Sequence, residues 1–450
     1  MTKSPWLYRS ALGAMAALCL APSAMAQTTT VVEPPMTYVV RAGDTLIDLA
    51  RKYMTRPQDH RALQRENRVA NPRRMATGRT LDIPVDLLRT RPDTATLESY
   101  RGQVEVLRNG QSQTLSRGLI LQEGDLISTG GNAFARINLS DGSHAVVPSN
   151  SRIQLERLRR FEINNEPDHR LTVQAGRLEN SVNPRQRPGT YRVTSPAAVS
   201  AVRGTQFRVA YDEASGLGST GVLEGQVAIA ASAGGDAALA GAGEGTVVDR
   251  NTPGVRVTPL PATPTLIAPE TIQTGTNVVF KATLPAGAST LRGRIGNDTG
   301  ITDPVAEAEA RGDTLTFENI DEGRWFIRLT AVTAEGLEGR PRTYDFIRAR
   351  NGLEGLALAQ GTEGDVRTYR FGWRAVGEGE ARFRFQLWRV DAEGEQSGPY
   401  LVDQPDLSDP HYTLTDLPPG DYAWRVEGVR HRFGQRLSVW SEPELLTLSR

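Results

Sequence analysis

The spacing of hydrophobic and polar positions divides this chain into stretches of different period. The segment "YVVRAGDTLIDLARKY", Tyr38 to Tyr53, begins as an alternating strand and breaks at Gly43. It continues with Leu46, Leu49, Ala50 and Tyr53 on one helical face. Asp44 stands at the N-cap position just before that face. "PQDHRALQREN" from Pro57 predicts a second helix, and "VANPRRMATGRTLDIP" predicts a loop leading into a last strand, Thr80–Ile83. The order is strand, helix, helix, strand.

After a polar break, "RTRPDTAT" from Arg89, the period becomes two almost throughout, from Leu97 to about Val257. Short strands are expected at Gly102–Leu107, Ala135–Leu139, Leu171–Val173, Tyr191–Val193 and Val199–Val209, divided by Gly-, Asn- and Asp-containing turns. In the last of these, Val199, Ala201, Thr205, Phe207 and Val209 fall on one face, and Arg203 falls on it too. A charge on an apolar face needs a partner, so Arg203, Gly204 and Thr205 are read as a structural motif in which the arginine bonds loop carbonyls or is redirected by a bulge at Gly204. The Ala/Gly-rich "ASAGGDAALAGAGEG" from Ala231 reads as a loose hairpin, because "GQVAIA" precedes it and "GTVV" follows. "TPLPATPTLIAP" from Thr258 reads as a stiff linker.

Two similar units follow, "LTFENIDEGRWFIRLTAVTAEGLEG" from Leu315 and "YTLTDLPPGDYAWRVEGVRHRFGQ" from Tyr412. Each has a strand, a Gly turn and an alternating strand around Trp, an internal repeat of two β-sandwiches. Trp325, Ile327 and Leu329 form the core face of the first; Tyr422, Trp424 and Val426 form that of the second. Arg382, Arg384 and Arg425 lie where they could stack on Trp388 and Trp424.

The first 26 residues set the expected compartment. Lys3 and Arg9 precede an Ala- and Leu-rich run ending in Ala24-Met25-Ala26, which is the pattern of a cleaved secretory signal peptide. The single Cys19 lies inside it, after Leu18 rather than a small residue, so removal is expected and not lipidation. The mature chain then has no cysteine for a disulfide, a thiolate metal site or a thiol nucleophile. No later apolar run approaches the roughly 18 residues that span a bilayer. Export to the periplasm of a Gram-negative envelope is the expected destination, with no transmembrane segment in the mature chain.

Charge balances overall, with 52 basic and 52 acidic residues, but residues 41–79 hold ten Lys or Arg against four Asp or Glu. That local surplus favours an anionic partner such as a wall polymer. His60, His144, His169, His411 and His431 are scattered without metal-ligand spacing, and neither a nucleophile elbow nor a phosphate loop is present. Carboxylate pairs such as Asp321-Glu322 sit in turns. No catalytic residue, metal or cofactor is expected, and an exported neutral chain is a poor partner for nucleic acid.

The first module resembles the LysM modules of cell-wall-binding proteins, through "YVVRAGDTL", "LARKY", "LQREN", Asn71-Pro72 and "GRTLDIP". The resemblance implies binding of N-acetylglucosamine units of peptidoglycan or chitin in a groove between two loops, and peptidoglycan is the expected ligand here. One loop carries Gly43, Asp44, Thr45 and Leu46; the other carries Asn71, Pro72, Arg73 and Met75. The residue types suit a neutral glycan: Gly43 permits close backbone approach, Asp44 and Thr45 supply polar atoms, and Leu46 and Met75 supply apolar surface. Met75 and Thr77 depart from the family pattern. "GLILQEGDLISTG", "ARINLSDGSHAVVPSNSRIQL", "VTSPAAVSAVRGTQFRV" and "GVLEGQVAIA" resemble the FecR domain family, named for a regulator that relays a periplasmic signal to a sigma factor. The transmembrane helix of that regulator has no counterpart here, so only a periplasmic domain that meets a protein or ligand is carried over. The C-terminal pair resembles fibronectin type III or immunoglobulin-like modules.

The expected fold is therefore multidomain and mainly β: a small βααβ LysM module (36–88), a β-rich FecR-type domain (95–258) and two tandem β-sandwich modules (262–349 and 351–450), after a signal peptide (1–26). The expected role is non-enzymatic attachment to peptidoglycan, with the β domains presenting surfaces to other envelope proteins. The alternative is periplasmic signal sensing through the FecR-type domain.

Overall fold

The computed structural model describes residues 35–184, 190–267 and 270–449. The expected signal peptide lies outside them. At the N-terminus, Met36–Val39 pairs antiparallel with Thr80–Ile83, and helices Leu46–Tyr53 and His60–Glu66 pack against that two-stranded sheet. The first helix buries Leu46, Leu49 and Ala50, three positions of its apolar stripe. Its N-cap is Thr45, one residue later than the sequence suggested: Thr45 Oγ1 accepts from the Asp48 amide at 3.0 Å. Asp44 is one step too early because its carboxylate is engaged in the preceding turn.

The core of this module is completed from outside it. Phe161, at the tip of the long hairpin formed by Arg152–Phe161 and Pro167–Ser181, is only 3% exposed and sits among Met36, Leu46, Met54, Leu63 and Leu81. Arg89 binds the helix end, donating from Nε to the Met54 carbonyl at 2.6 Å. The expected polar break is structured as well: Thr90–Pro92 forms a strand against Arg159–Phe161.

The middle domain consists of two sheets joined into a closed barrel around one apolar core, antiparallel except where Pro167–Ser181 runs parallel to Tyr191–Thr194. Pro167–Ser181 runs through both. Its first half pairs with Arg152–Phe161 and its second half with Gln206–Tyr211. The change of sheet falls at Gly176, where φ is +79° and a Cβ would lie 2.4 Å from the Asn150 carbonyl oxygen, so only glycine fits. Leu97, Val106, Ile127, Ile137, Leu155, Val173, Tyr191, Phe207 and Ile229 fill the interior. The Ala/Gly-rich stretch is a hairpin: Ala238–Gly241 pairs with Gln226–Ile229.

The expectation that Arg203 lies on an apolar strand face is overturned. Ala198–Val202 and Gln206–Tyr211 are separate strands that pair in different sheets, and Arg203 is exposed in the turn between them. The turn resets the register: Ala198 and Val202 face the core before it, Phe207, Val209 and Tyr211 after it. Gly204 passes so close to Pro184 that a Cβ would meet its Cα at 2.6 Å. Thr205 is buried and exchanges backbone hydrogen bonds with Val182. The buried arginine of this region is Arg208.

The C-terminal half holds two β-sandwiches. The first packs a three-stranded sheet (Thr265–Leu266, Val278–Thr283, Thr314–Phe317) on a five-stranded one around Phe280, Leu291, Ile327, Leu329 and Phe346. The second packs a three-stranded sheet (Gly352–Glu363, Val366–Val376, His411–Thr415) on a larger one around Phe371, Phe385, Tyr422, Trp424 and Val426. Trp325 is only half-buried at the edge of the first core, its indole donating to the Asp321 carbonyl. Of the three arginines expected to stack, Arg425 does so, over Trp388 and Trp440 rather than Trp424. Arg384 pairs with Asp403 and Arg382 with Asp406 instead.

Candidate functional site

The turn from Arg41 to Thr45 is held from below. Asp44 Oδ2 accepts from the Tyr38 hydroxyl at 2.8 Å and from the Arg41 amide at 2.7 Å. Burial and the Asp44 carboxylate push the Tyr38 hydroxyl up to about 12, so it stays protonated and donates. Gly43 is exposed, with φ at +89° and open space around the position of a Cβ. A side chain there is opposed by backbone conformation and not by a clash.

The facing loop is joined to this turn directly. The Leu46 amide donates to the Pro72 carbonyl at 2.9 Å. Asn71 shapes its own loop, its Oδ1 accepting from the Arg73 amide at 3.0 Å. Gly43, Asp44, Thr45, Asn71, Pro72 and Arg73 are thus brought to one place, all at least partly exposed, with Met75 half-buried against the core below. Leu46 differs: its side chain is wholly buried and its amide is engaged, so it positions the loops and offers no apolar surface. Among the described residues, the amides of Gly43 and Thr45 make no hydrogen bond within the chain.

Cationic side chains stand on the surface of this module. Arg51 pairs with Asp48 and Arg56 with Asp59. Arg41, Arg61, Arg65, Arg68, Arg73 and Arg74 are exposed, and no ion pair engages them among the described residues. The surplus charge read from residues 41–79 is therefore a surface property of the module.

A second constellation escaped sequence reasoning. Where the middle domain meets the first sandwich, Arg177, Glu179 and Arg208 from the former face Arg292, Arg294, Glu307 and Glu338 from the latter. Arg294 joins Glu179 at 2.6 Å and Glu307 at 2.5 Å. Arg208 reaches Glu338 at 3.2 Å, and Arg292 pairs with Glu338 and with Glu309. Despite burial, these arginines hold the Glu307 carboxyl down at about 2 and Glu338 well below the usual carboxylate range. The local signal was the pairing of "RGRIG" with "AEAEA": adjacent strands set Arg292 opposite Glu309 and Arg294 opposite Glu307. Their partners across the domain junction carried no local signal.

Among the described residues no group of three or more His, Cys, Asp or Glu is placed to hold a metal ion. No helix there is long and apolar enough to cross a membrane.

Residues 38–84 match the LysM domain family, and residues 125–228 match the FecR protein family. The chain carries both domains. No curated protein matches it. Among solved structures, a protein from Parabacteroides distasonis described as an anti-sigma factor aligns at 16% identity with a TM-score of 0.25, over 30% of this chain and 59% of its own length. Fibronectin(III)-like modules of Clostridium thermocellum CbhA align at 14% identity with a TM-score of 0.19, over 40% of this chain and 90% of theirs. The FN1–FN3 domains of chicken CNTN1 align at 10% identity with a TM-score of 0.24, over 72% of this chain and 99% of theirs. Likenesses at these scores carry no argument about arrangement or role.

Proposed function

We propose that this is a non-enzymatic protein of the periplasm that holds peptidoglycan through its LysM domain, at Gly43, Asp44, Thr45, Asn71, Pro72, Arg73 and Met75. A LysM domain points to glycan binding and a FecR domain to signalling. The observation that carries the peptidoglycan reading is the open turn itself: two loops tied by Leu46 and Pro72, with the amides of Gly43 and Thr45 hydrogen-bonded to no group among the described residues. Backbone donors at an exposed turn suit the acetamido and hydroxyl groups of a neutral sugar.

The test uses the full chain, because Phe161 completes the core of the LysM domain. The protein should pellet with purified sacculi and stay bound through a wash at roughly molar salt, where the Debye length is about 3 Å and attraction by the arginine surface is screened. Gly43→Val should weaken retention more than Asp44→Asn, since valine opposes a φ of +89°. Complete release by salt, with Gly43→Val equal to the parent at low salt, would leave the turn as a helix cap and the arginines as the contact.

The second reading, signal sensing through the FecR domain, draws on the charged junction between that domain and the first sandwich. Under that reading a crosslinking pulldown from intact cells should return an envelope protein whose crosslinks fall on the middle domain and whose capture changes with the signal; capture through the sandwich modules alone favours the first reading.

A further inference from the structure

The charged junction does not balance. Arg177, Arg208, Arg292, Arg294 and Arg328 meet Glu179, Glu307, Glu309 and Glu338, and each of these glutamates has an arginine within 3.2 Å. Arg328 is the one left over. Its Nη2 donates to the carbonyls of Gly300 at 2.5 Å and Thr299 at 3.4 Å, and no carboxylate pairs with it among the described residues. A partly buried cation whose hydrogen bonds go only to carbonyls, with Glu179 and Asp298 acting on it without pairing, is costly, and an anion would relieve it.

The surplus lies beside space. Arg328 lines a cavity of about 340 Å³ together with Arg136 and His144 of the middle domain. That volume is at the small end of ligand pockets. Glu179 is the one carboxylate among its lining residues, and Arg294 already holds it at 2.6 Å. Arg136 is 16% exposed and, among the described residues, shares one ion pair, with Glu98 at 2.7 Å. Burial and then Arg136 hold His144 below the usual histidine range, as a site that already carries excess positive charge would. Another cavity at the junction, lined by Arg177 and Arg292, carries Asp212, Glu213 and Glu335 exposed on its rim, so an anion is favoured in the first.

We propose that this cavity is an anion site, taking a phosphate or carboxylate group of a small molecule between Arg136 and His144 of the middle domain and Arg328 of the first sandwich. The ligand would touch both domains and so favour their docked arrangement over any arrangement that separates them. The site is independent of the LysM groove and does not rest on glycan binding.

The test is calorimetric titration of the full chain with inorganic phosphate and, separately, succinate, at constant ionic strength, with N-acetylglucosamine as the neutral control. Saturable binding of one molecule of either anion is expected, and which anion binds identifies the group recognised. Arg328→Gln and Arg136→Gln should each weaken it at least about tenfold, which is about 1.4 kcal/mol. Arg311→Gln, exposed and outside the cavity, should leave it unchanged. A readout on the parent protein covers the case in which a variant misfolds: the bound anion should slow acylation of His144 by diethylpyrocarbonate and leave His60, His411 and His431 at their own rates. No saturable binding of either anion, unchanged affinity in a folded Arg328→Gln, or anion binding that leaves His144 unprotected would each overturn the proposal.

Discussion

The middle domain is docked at both ends, by opposite chemistry. Toward the N-terminus it inserts one aromatic ring, Phe161, into the apolar core of the LysM domain. Toward the C-terminus it presents Arg177, Glu179 and Arg208 to Arg292, Arg294, Glu307 and Glu338. The apolar dock gains free energy by removing a large ring from water, and undocking exposes the core of the smaller partner. The ionic dock gains Coulomb energy but loses hydration of every charge it buries, so its net stabilisation is modest while its geometry is specific. An opened ionic dock leaves charges that water solvates well. The LysM domain should therefore move as one body with the middle domain, and the first sandwich should be the side that can respond to ions, acid or ligand.

Removing the ring should produce the largest effect. Phe161→Ala empties the position it fills in the LysM core and should cost about 3–5 kcal/mol. The loss should be local: amide exchange should rise across 36–88, with the strands around Ile127 and Val173 still protected. Unchanged exchange over 36–88 would show that the LysM domain stands alone and that the contact is incidental.

Next comes the centre of the other dock. Glu338→Gln leaves Arg208 and Arg292 without their shared carboxylate and should cost about 3 kcal/mol, loosening Ala288–Gly296 and leaving 36–88 untouched. If replacing the charge leaves the exchange of Ala288–Gly296 at its parent level, the network is neutral in effect and the two docks differ only in composition.

Acid separates the docks without mutation. The Glu307 carboxyl is depressed to about 2 in the folded protein from an ordinary 4.5. Its stabilisation is therefore complete above the unfolded value and is lost as pH falls through the folded one. A depression of that size is worth about 3 kcal/mol, lost between about pH 5 and pH 2. Glu338 and Glu179 shift in the same direction. The buried cluster around Phe161 holds no carboxylate or histidine among the described residues. Exchange at Ala288–Gly296 should rise at a higher pH than exchange at Leu46–Tyr53; the reverse order would place the acid-labile junction at the wrong end.

What the sequence made legible follows the same division. The helix at Leu46–Tyr53 and the core strands around Trp424 were readable because period and burial are local properties, repeated every few residues. Arg203 was misplaced because one turn of three residues shifts the inward parity of everything after it; counting by twos from Val199 cannot see that shift. Asp44 and Thr45 were one position apart in their roles because both residue types cap helices, and the bonds from Tyr38 and Arg41 to Asp44 decide between them. Phe161 and Glu338 gave no signal because their partners are far away along the chain, and an apolar residue at a hairpin tip or an acid after a turn looks ordinary.

The smallest expected effect sharpens the contrast from within the apolar dock. Arg89 is the main polar strut beside Phe161, donating from Nε to the Met54 carbonyl at 2.6 Å and from Nη2 to the Arg51 carbonyl. It thereby satisfies carbonyls at the end of the first helix, which have no partners within it. The side chain is half-buried, so water can replace much of what is lost, and a hydrogen bond to a charged group in such a position contributes little more than a neutral one. Arg89→Gln should cost about 1 kcal/mol and raise exchange in the last turn of the Leu46–Tyr53 helix, without releasing the whole of 36–88. A thermal or denaturant titration read by the exchange of that helix measures it. If Arg89→Gln instead frees the LysM domain as fully as Phe161→Ala does, the dock is held by its hydrogen bonds, and the division between an apolar end and an ionic end fails.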